Sequence, residues 1–184
     1  MNQSTAPLQN DTTTSFDANY KQPAYNFGRY RVFWQVNPHK YLIAIGPHWY
    51  LSILGQLIVL TAGSVILYGI RHHMSALMVT LYLVFFAAVM LVYAAIFLYN
   101  PGIKVHGDFA ARLADTETNA AYVCRQCLTT REDNALHCVD CGVCIEGYDH
   151  HCIWIGKCVG AGNLTLFYVF VAILPSFMMY ILFL

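Results

Sequence analysis

The sequence predicts an α-helical integral membrane protein, with three spanning helices and a small cysteine-rich domain between the second and the third. Three observations carry that prediction. Of 184 residues, 58% are apolar and only 11% charged, against roughly a quarter charged in a soluble domain. Residues 41–70, 72–103 and 158–184 contain no Asp, Glu, Lys or Arg. All seven cysteines fall between positions 124 and 158.

About 20 apolar residues at a rise of 1.5 Å cross the roughly 30 Å hydrocarbon layer, so each charge-free run is long enough to span it. The helices are expected at about Trp49 to Ile70, Met74 to Tyr99 and Leu164 to Leu184, and a chain this short could not bury all three on every side. The first 22 residues are polar and lack an apolar h-region, so they read as a disordered tail rather than a cleaved signal peptide. Residues 1–40 are therefore taken as tail and juxtamembrane segment, 41–99 as the first two helices, 100–163 as the cysteine-rich domain and 164–184 as the third helix.

Orientation follows from the basic residues. Lys21, Arg29, Arg31 and Lys40 precede the first helix, Arg71 alone lies between the first and second, and Lys104, Arg112, Arg125, Arg131 and Lys157 lie between the second and third. The positive-inside rule then places the N-terminus and the cysteine-rich domain in the cytosol. Tyr30, Phe33, Trp34, Tyr41, Trp49 and Tyr50 read as an interfacial aromatic belt. The sequons at Asn2, Asn10 and Asn163 would go unused on that side. Ten basic residues balance ten acidic ones, which argues against a nucleic-acid partner.

Asn100-Pro101-Gly102 ends the second helix, since Pro cannot continue it and Gly permits a turn. In the domain that follows, apolar residues are scattered without helical or strand period, too few for a self-sufficient core. The cysteines are the alternative. They run Cys124-x2-Cys127, His137-Cys138-x2-Cys141-x2-Cys144, Asp149-His150-His151-Cys152 and Cys158. Cytosolic thiols stay reduced, and an odd number cannot all pair, so metal binding or catalysis is preferred to disulfides. Two four-coordinate zinc sites need eight ligands, whereas seven cysteines with His137, His150 and His151 offer ten. Two candidates are in excess. Alternation along an extended segment would turn His150 and Cys152 to one side and His151, suited to zinc, to the other. An imidazole two residues from a thiol can take its proton and generate the nucleophilic thiolate. Asp149 could orient that imidazole given a turn at 149.

The whole pattern, C-x2-C-x9-HC-x2-C-x2-C-x4-DHHC-x5-C-x4-N-x3-F from Cys124 to Phe167, resembles the DHHC-type protein S-acyltransferases, the membrane palmitoyltransferases. The resemblance implies two structural zincs, one on Cys124, Cys127, His137 and Cys144 and the other on Cys138, Cys141, His151 and Cys158. It implies Cys152 as nucleophile and His150 as its base, with Asp149 beside it. The Cys152 thiolate would take a long-chain acyl group, such as palmitate, from acyl-CoA and pass it to cysteines of membrane-associated proteins. Trp154 resembles the family's active-site tryptophan, and Phe177 falls near the closed end of the acyl cavity. Two departures stand out: Asn100 where the family commonly has Asp, and Ile153 where Pro usually follows the nucleophile. The family also implies a fourth helix and a Thr-Thr-x-Glu motif beyond Leu184, so the sequence is expected to be truncated there. Membranes of the endoplasmic reticulum, Golgi or cell surface are the expected location, with an accessory subunit as a possible partner. The competing readings are a membrane-anchored zinc module that binds partners without chemistry and an inactive, truncated acyltransferase.

Overall fold

A computed structural model describes residues 27–37, 40–104, 123–124, 126–127, 129–130 and 134–184. The tail over 1–22 lies outside them. Among the described residues three helices are long and apolar enough to cross a membrane, the number that the charge-free runs predict. Helix α1 spans Trp49–Ile70, and a single 3-10 turn, Arg71–His73, leads toward α2, Ala76–Leu98. Ser75 sets the start of α2: its side chain accepts the backbone N–H of Met78 at 3.3 Å, satisfying one of the donors a helix start leaves open. Helix α3 spans Leu164–Leu182.

The helices pack through small residues and aromatic rings. A side chain at Gly55 would collide with the Tyr93 hydroxyl, and one at Gly63 with the Phe86 ring, so both positions let α2 approach α1 closely. Tyr82 Oη donates to the Gly63 carbonyl at 2.7 Å, and Tyr180 Oη ties α3 to the Met78 carbonyl at 3.0 Å. Phe177 of α3 is buried among Tyr82, Phe85 and Phe86, with ring centroids 5.2, 5.5 and 5.7 Å away. Outward-facing residues such as Leu57, Ile58, Val65, Leu83, Val84 and Leu91 are exposed. So much exposed apolar surface would be an aggregation hazard in water and is the ordinary surface of a helix in lipid.

The remaining elements among the described residues are four antiparallel hairpins. Strands β1 (Arg31–Asn37) and β2 (Lys40–Ile45) pair just before α1. The others are β3 (Val123–Cys124) with β4 (Thr129–Thr130), β5 (Leu136–Cys138) with β6 (Val143–Ile145), and β7 (His150–Cys152) with β8 (Lys157–Val159). Isolated hairpins of this length do not hold in water. Tyr30, Ala44 and Ile103 form one buried cluster with Cys138, Cys141, Val143, Ile145 and Cys158. The segment before α1 is therefore part of the cysteine-rich unit, where the sequence suggested only a tail and an aromatic belt.

Two asparagines fix the ends of that unit. Asn100 Oδ1 accepts the N–H groups of Gly102 and Ile103 at 2.9 and 3.0 Å. The turn needs a side-chain carbonyl oxygen and no charge, which explains how Asn serves where Asp is commoner. Asn163, fully buried, accepts from Gly160 N–H at 2.9 Å and donates to the Cys158 carbonyl at 3.1 Å, anchoring the start of α3 to β8.

Candidate functional site

The hairpin registers sort the cysteines and histidines. Directly opposed residues of an antiparallel pair project to one face, and neighbours along a strand project to opposite faces. His137 faces Cys144 across β5–β6, and His151 faces Cys158 across β7–β8. Two groups result, Cys124, Cys127, His137 and Cys144, and Cys138, Cys141, His151 and Cys158, each with its ligand atoms within 4.8 Å of one another. All six cysteines are buried.

The spacing suits zinc. A tetrahedron with Zn–S of about 2.3 Å and Zn–N of about 2.0–2.1 Å has S···N edges near 3.5 Å. In the first group His137 Nδ1 lies 3.6 Å from Cys124 Sγ and 3.1 Å from Cys127 Sγ. In the second, His151 Nδ1 lies 3.5, 3.3 and 3.7 Å from the sulfurs of Cys138, Cys141 and Cys158, and the last two sulfurs are 3.4 Å apart. Without a cation the thiols compete for protons. Hydrogen bonds from Cys141 and Cys158 hold Cys138 far below the usual thiol range, while the bond to Cys138 pushes Cys141 up to about 12. Cys127 is raised by its bond to Cys144 and by burial. Several sulfurs this close cannot all ionise unless a dication shares them, so both groups could hold a metal ion.

Asp149, His150 and Cys152 lie outside these groups. Asp149 directly precedes β7, where its N–H donates to the Val159 carbonyl at 3.0 Å, and its Oδ2 is 3.3 Å from His150 Nδ1. His150 stacks edge-on against Phe167 of α3 at 5.1 Å. Cys152 is half-buried against the cluster of Tyr93, Ile96, Ile155 and Val159, where α2 and α3 meet the hairpin. Trp154 exposes its indole at the β7–β8 turn, and its carbonyl accepts Tyr93 Oη at 2.8 Å. That turn closes through Gly156 N–H on the Ile153 carbonyl at 3.1 Å, with Gly156 at φ +73°, so Ile153 fits it without a proline. Phe177 lies away from this site, in the packed aromatic layer described above.

Three residues escaped the sequence reading. Lys157 is fully buried, and its Nζ donates to the carbonyls of Ala44 and Tyr99 at 2.8 and 2.6 Å. Burial lowers its pKa to about 7, with Cys141 and Cys158 opposing the shift. Counted by sequence among the loop cations, it is a buried strut. Tyr30 and His48 each touch the second Cys/His group, Tyr30 through Cys141 Sγ at 3.3 Å and His48 through His151 Nε2 at 3.0 Å. No motif marks either one, because the contacts join positions more than a hundred residues apart.

Comparison with known proteins finds sequences similar to this chain. A family model described as DHHC palmitoyltransferase matches residues 117–184. A protein of Arabidopsis thaliana named "Probable protein S-acyltransferase 13" is 37% identical over 82 residues, covering 38% of this chain and 27% of that protein. The human protein named Palmitoyltransferase ZDHHC9 is 41% identical over 58 residues, 32% of this chain and 16% of its own length. Palmitoyltransferase SWF1 of Kluyveromyces lactis is 50% identical over 48 residues, 26% of this chain and 15% of that protein. The chain thus spans about a quarter or less of the length of these curated relatives.

Proposed function

We propose that this chain, which belongs to the DHHC S-acyltransferase family, is a protein S-acyltransferase working through an acyl-thioester on Cys152. One observation carries the reading: β7 directs His151 into a metal-ligating group and leaves Cys152 against the membrane helices, with the Asp149–His150 pair at the same strand. With Nδ1 turned to the Asp149 carboxylate, His150 has Nε2 to take the Cys152 proton. The resulting thiolate attacks the thioester carbonyl of a long-chain acyl-CoA. The carbon–sulfur bond to CoA breaks, the CoA thiolate leaves with a proton, and the acyl group stays on Cys152. A substrate thiolate on a membrane-associated protein then attacks the acyl-Cys152 carbonyl and Cys152 leaves as thiolate.

Placement supports a lipid substrate. Each buried methylene contributes about 0.8 kcal/mol, so a palmitoyl chain gains from entering between helices while CoA remains in water. Trp154, beside Cys152, is assigned to contact with the acyl group or CoA, and Phe177 to the closed end of the acyl path. Zinc on the two Cys/His groups would supply cross-links that hold the hairpins in register. The distribution of Lys and Arg supports a cytosolic N-terminus and cysteine-rich domain in a membrane of the endoplasmic reticulum, Golgi or cell surface.

The test separates thiol from ligands. Incubated with labelled palmitoyl-CoA, the protein should acquire hydroxylamine-labile label on Cys152. Cys152→Ser should abolish labelling while retaining two zincs, His150→Ala should slow it, and Cys127→Ser should lose metal. Labelling that survives Cys152→Ser refutes the mechanism, and an unlabelled wild type with both zincs in place favours the binding-module reading.

A further inference from the structure

The second Cys/His group is contacted from outside by two side chains that precede α1. Tyr30 is buried, and its hydroxyl accepts the backbone N–H of Cys158 at 3.2 Å while lying 3.3 Å from Cys141 Sγ. A hydroxyl has one hydrogen to give, and with Cys141 as thiolate that hydrogen points to sulfur. His151 presents Nδ1 to the three sulfurs of its group. With Nδ1 as ligand the ring proton sits on Nε2, which donates to His48 Nδ1 at 3.0 Å, the two rings lying edge to face. Backbone contacts fix both side chains: Arg29 N–H donates to the Cys141 carbonyl at 2.8 Å, and His48 N–H to the Gly156 carbonyl at 3.2 Å.

We propose that Tyr30 and His48 are positioning residues of the Cys138–Cys141–His151–Cys158 metal site, supplied by the segment that leads into the first membrane helix. The inference rests on the zinc reading above and goes beyond it. A hydrogen bond to a metal-bound thiolate draws charge from the sulfur and slows its protonation and release. An acceptor behind a ligating imidazole fixes its tautomer and raises its basicity. Both contacts fall on the second site, so the first serves as an internal control. The second metal would thus clamp the cysteine-rich unit to the junction with α1.

The experiment uses the full chain in lipid nanodiscs, with zinc release to a chromogenic chelator and absorption spectra after cobalt substitution. Wild type should hold two metals. Tyr30→Phe keeps the ring and removes only the hydroxyl. It should weaken one metal of the two by about 10- to 100-fold and move the thiolate-to-cobalt charge-transfer band to lower energy, because the unbonded sulfur gives up its electron more easily. His48→Leu should release that same metal faster, while His48→Asn, whose Oδ1 can take the place of Nδ1, should restore retention. A purely steric role would not separate Asn from Leu. Unchanged release and spectra, or equal loss of both metals, overturns the inference alone. A wild type that holds fewer than two metals overturns the zinc reading and this inference with it. If Tyr30→Phe fails to fold, the Asn and Leu comparison at His48 decides.

Discussion

Gly46→Ala tests the seam between the segment before α1 and the cysteine-rich unit. Gly46 has no room for a methyl group: an added Cβ would overlap the Gly156 carbonyl oxygen and Lys157 Cβ, and would stand 2.9 Å from Lys157 Cα. Backbone cannot swing aside as a side-chain tip can, so the two parts must separate. Overpacking of this kind costs about 1–3 kcal/mol. The same displacement stretches the bond from His48 N–H to Gly156, a neutral bond of about 0.5–1.5 kcal/mol, and the bond from Lys157 Nζ to Ala44, of about 1.5–3 kcal/mol when charged. A total of about 3–5 kcal/mol follows, since strain relieved by separation is not counted twice. For a chain of this size that lowers the melting temperature by roughly 6–20 °C. Thermal unfolding in detergent, followed by tryptophan fluorescence, reads the shift. Gly69→Ala is the control, because a Cβ there meets nothing within 4 Å and the change should be neutral or slightly stabilising. If Gly46→Ala melts with the wild type, the seam does not exist in solution and the argument for it fails.

Two further outcomes follow from packing. Asn100→Asp should melt as the wild type, because it keeps the oxygen that accepts Gly102 and Ile103 N–H, whereas Asn100→Ala should cost about 1–3 kcal/mol by releasing both bonds; equal melting of the two variants would show that the turn does not depend on that oxygen. Phe177→Ala removes a ring held among three others and should cost about 3–5 kcal/mol. In acyl-CoA competition assays it should also shift preference toward longer chains, and an unchanged profile would leave Phe177 a packing residue only.

The helices were legible because length and absence of charge suffice to define a span, and α1 coincides with its expected limits. The cysteine spacing was enough to show an excess over eight ligands, although only the family resemblance divided the ligands into two sets, and the folded chain brings those same sets together. Asp149 illustrates the limit of a strand rule: alternation alone turns it from His150, yet with no turn at 149 and its N–H on the Val159 carbonyl, its carboxylate still lies 3.3 Å from His150 Nδ1. What sequence could not convey is pairing at long range. The run from Arg31 to Ile45 is rich in aromatic and branched residues, a composition shared by an interfacial belt and a hairpin. Lys157 looks like any loop cation until Ala44 and Tyr99 are seen to enclose it.

Tyr30 stands 128 positions before Cys158, and His48 stands 103 before His151. A chain synthesised at about 5–20 residues per second thus has both residues, and the first two helices, in place before the last ligand of the second site is made. The first set is complete at Cys144 and the second only at Cys158, a delay on the order of a second at that rate. If both sets hold zinc as proposed, the first has all its ligands before the second, which would wait for β8 to bring Cys158 to Tyr30. On that reading, a chain that had not filled its second site would lack the clamp between the cysteine-rich unit and the segment before α1.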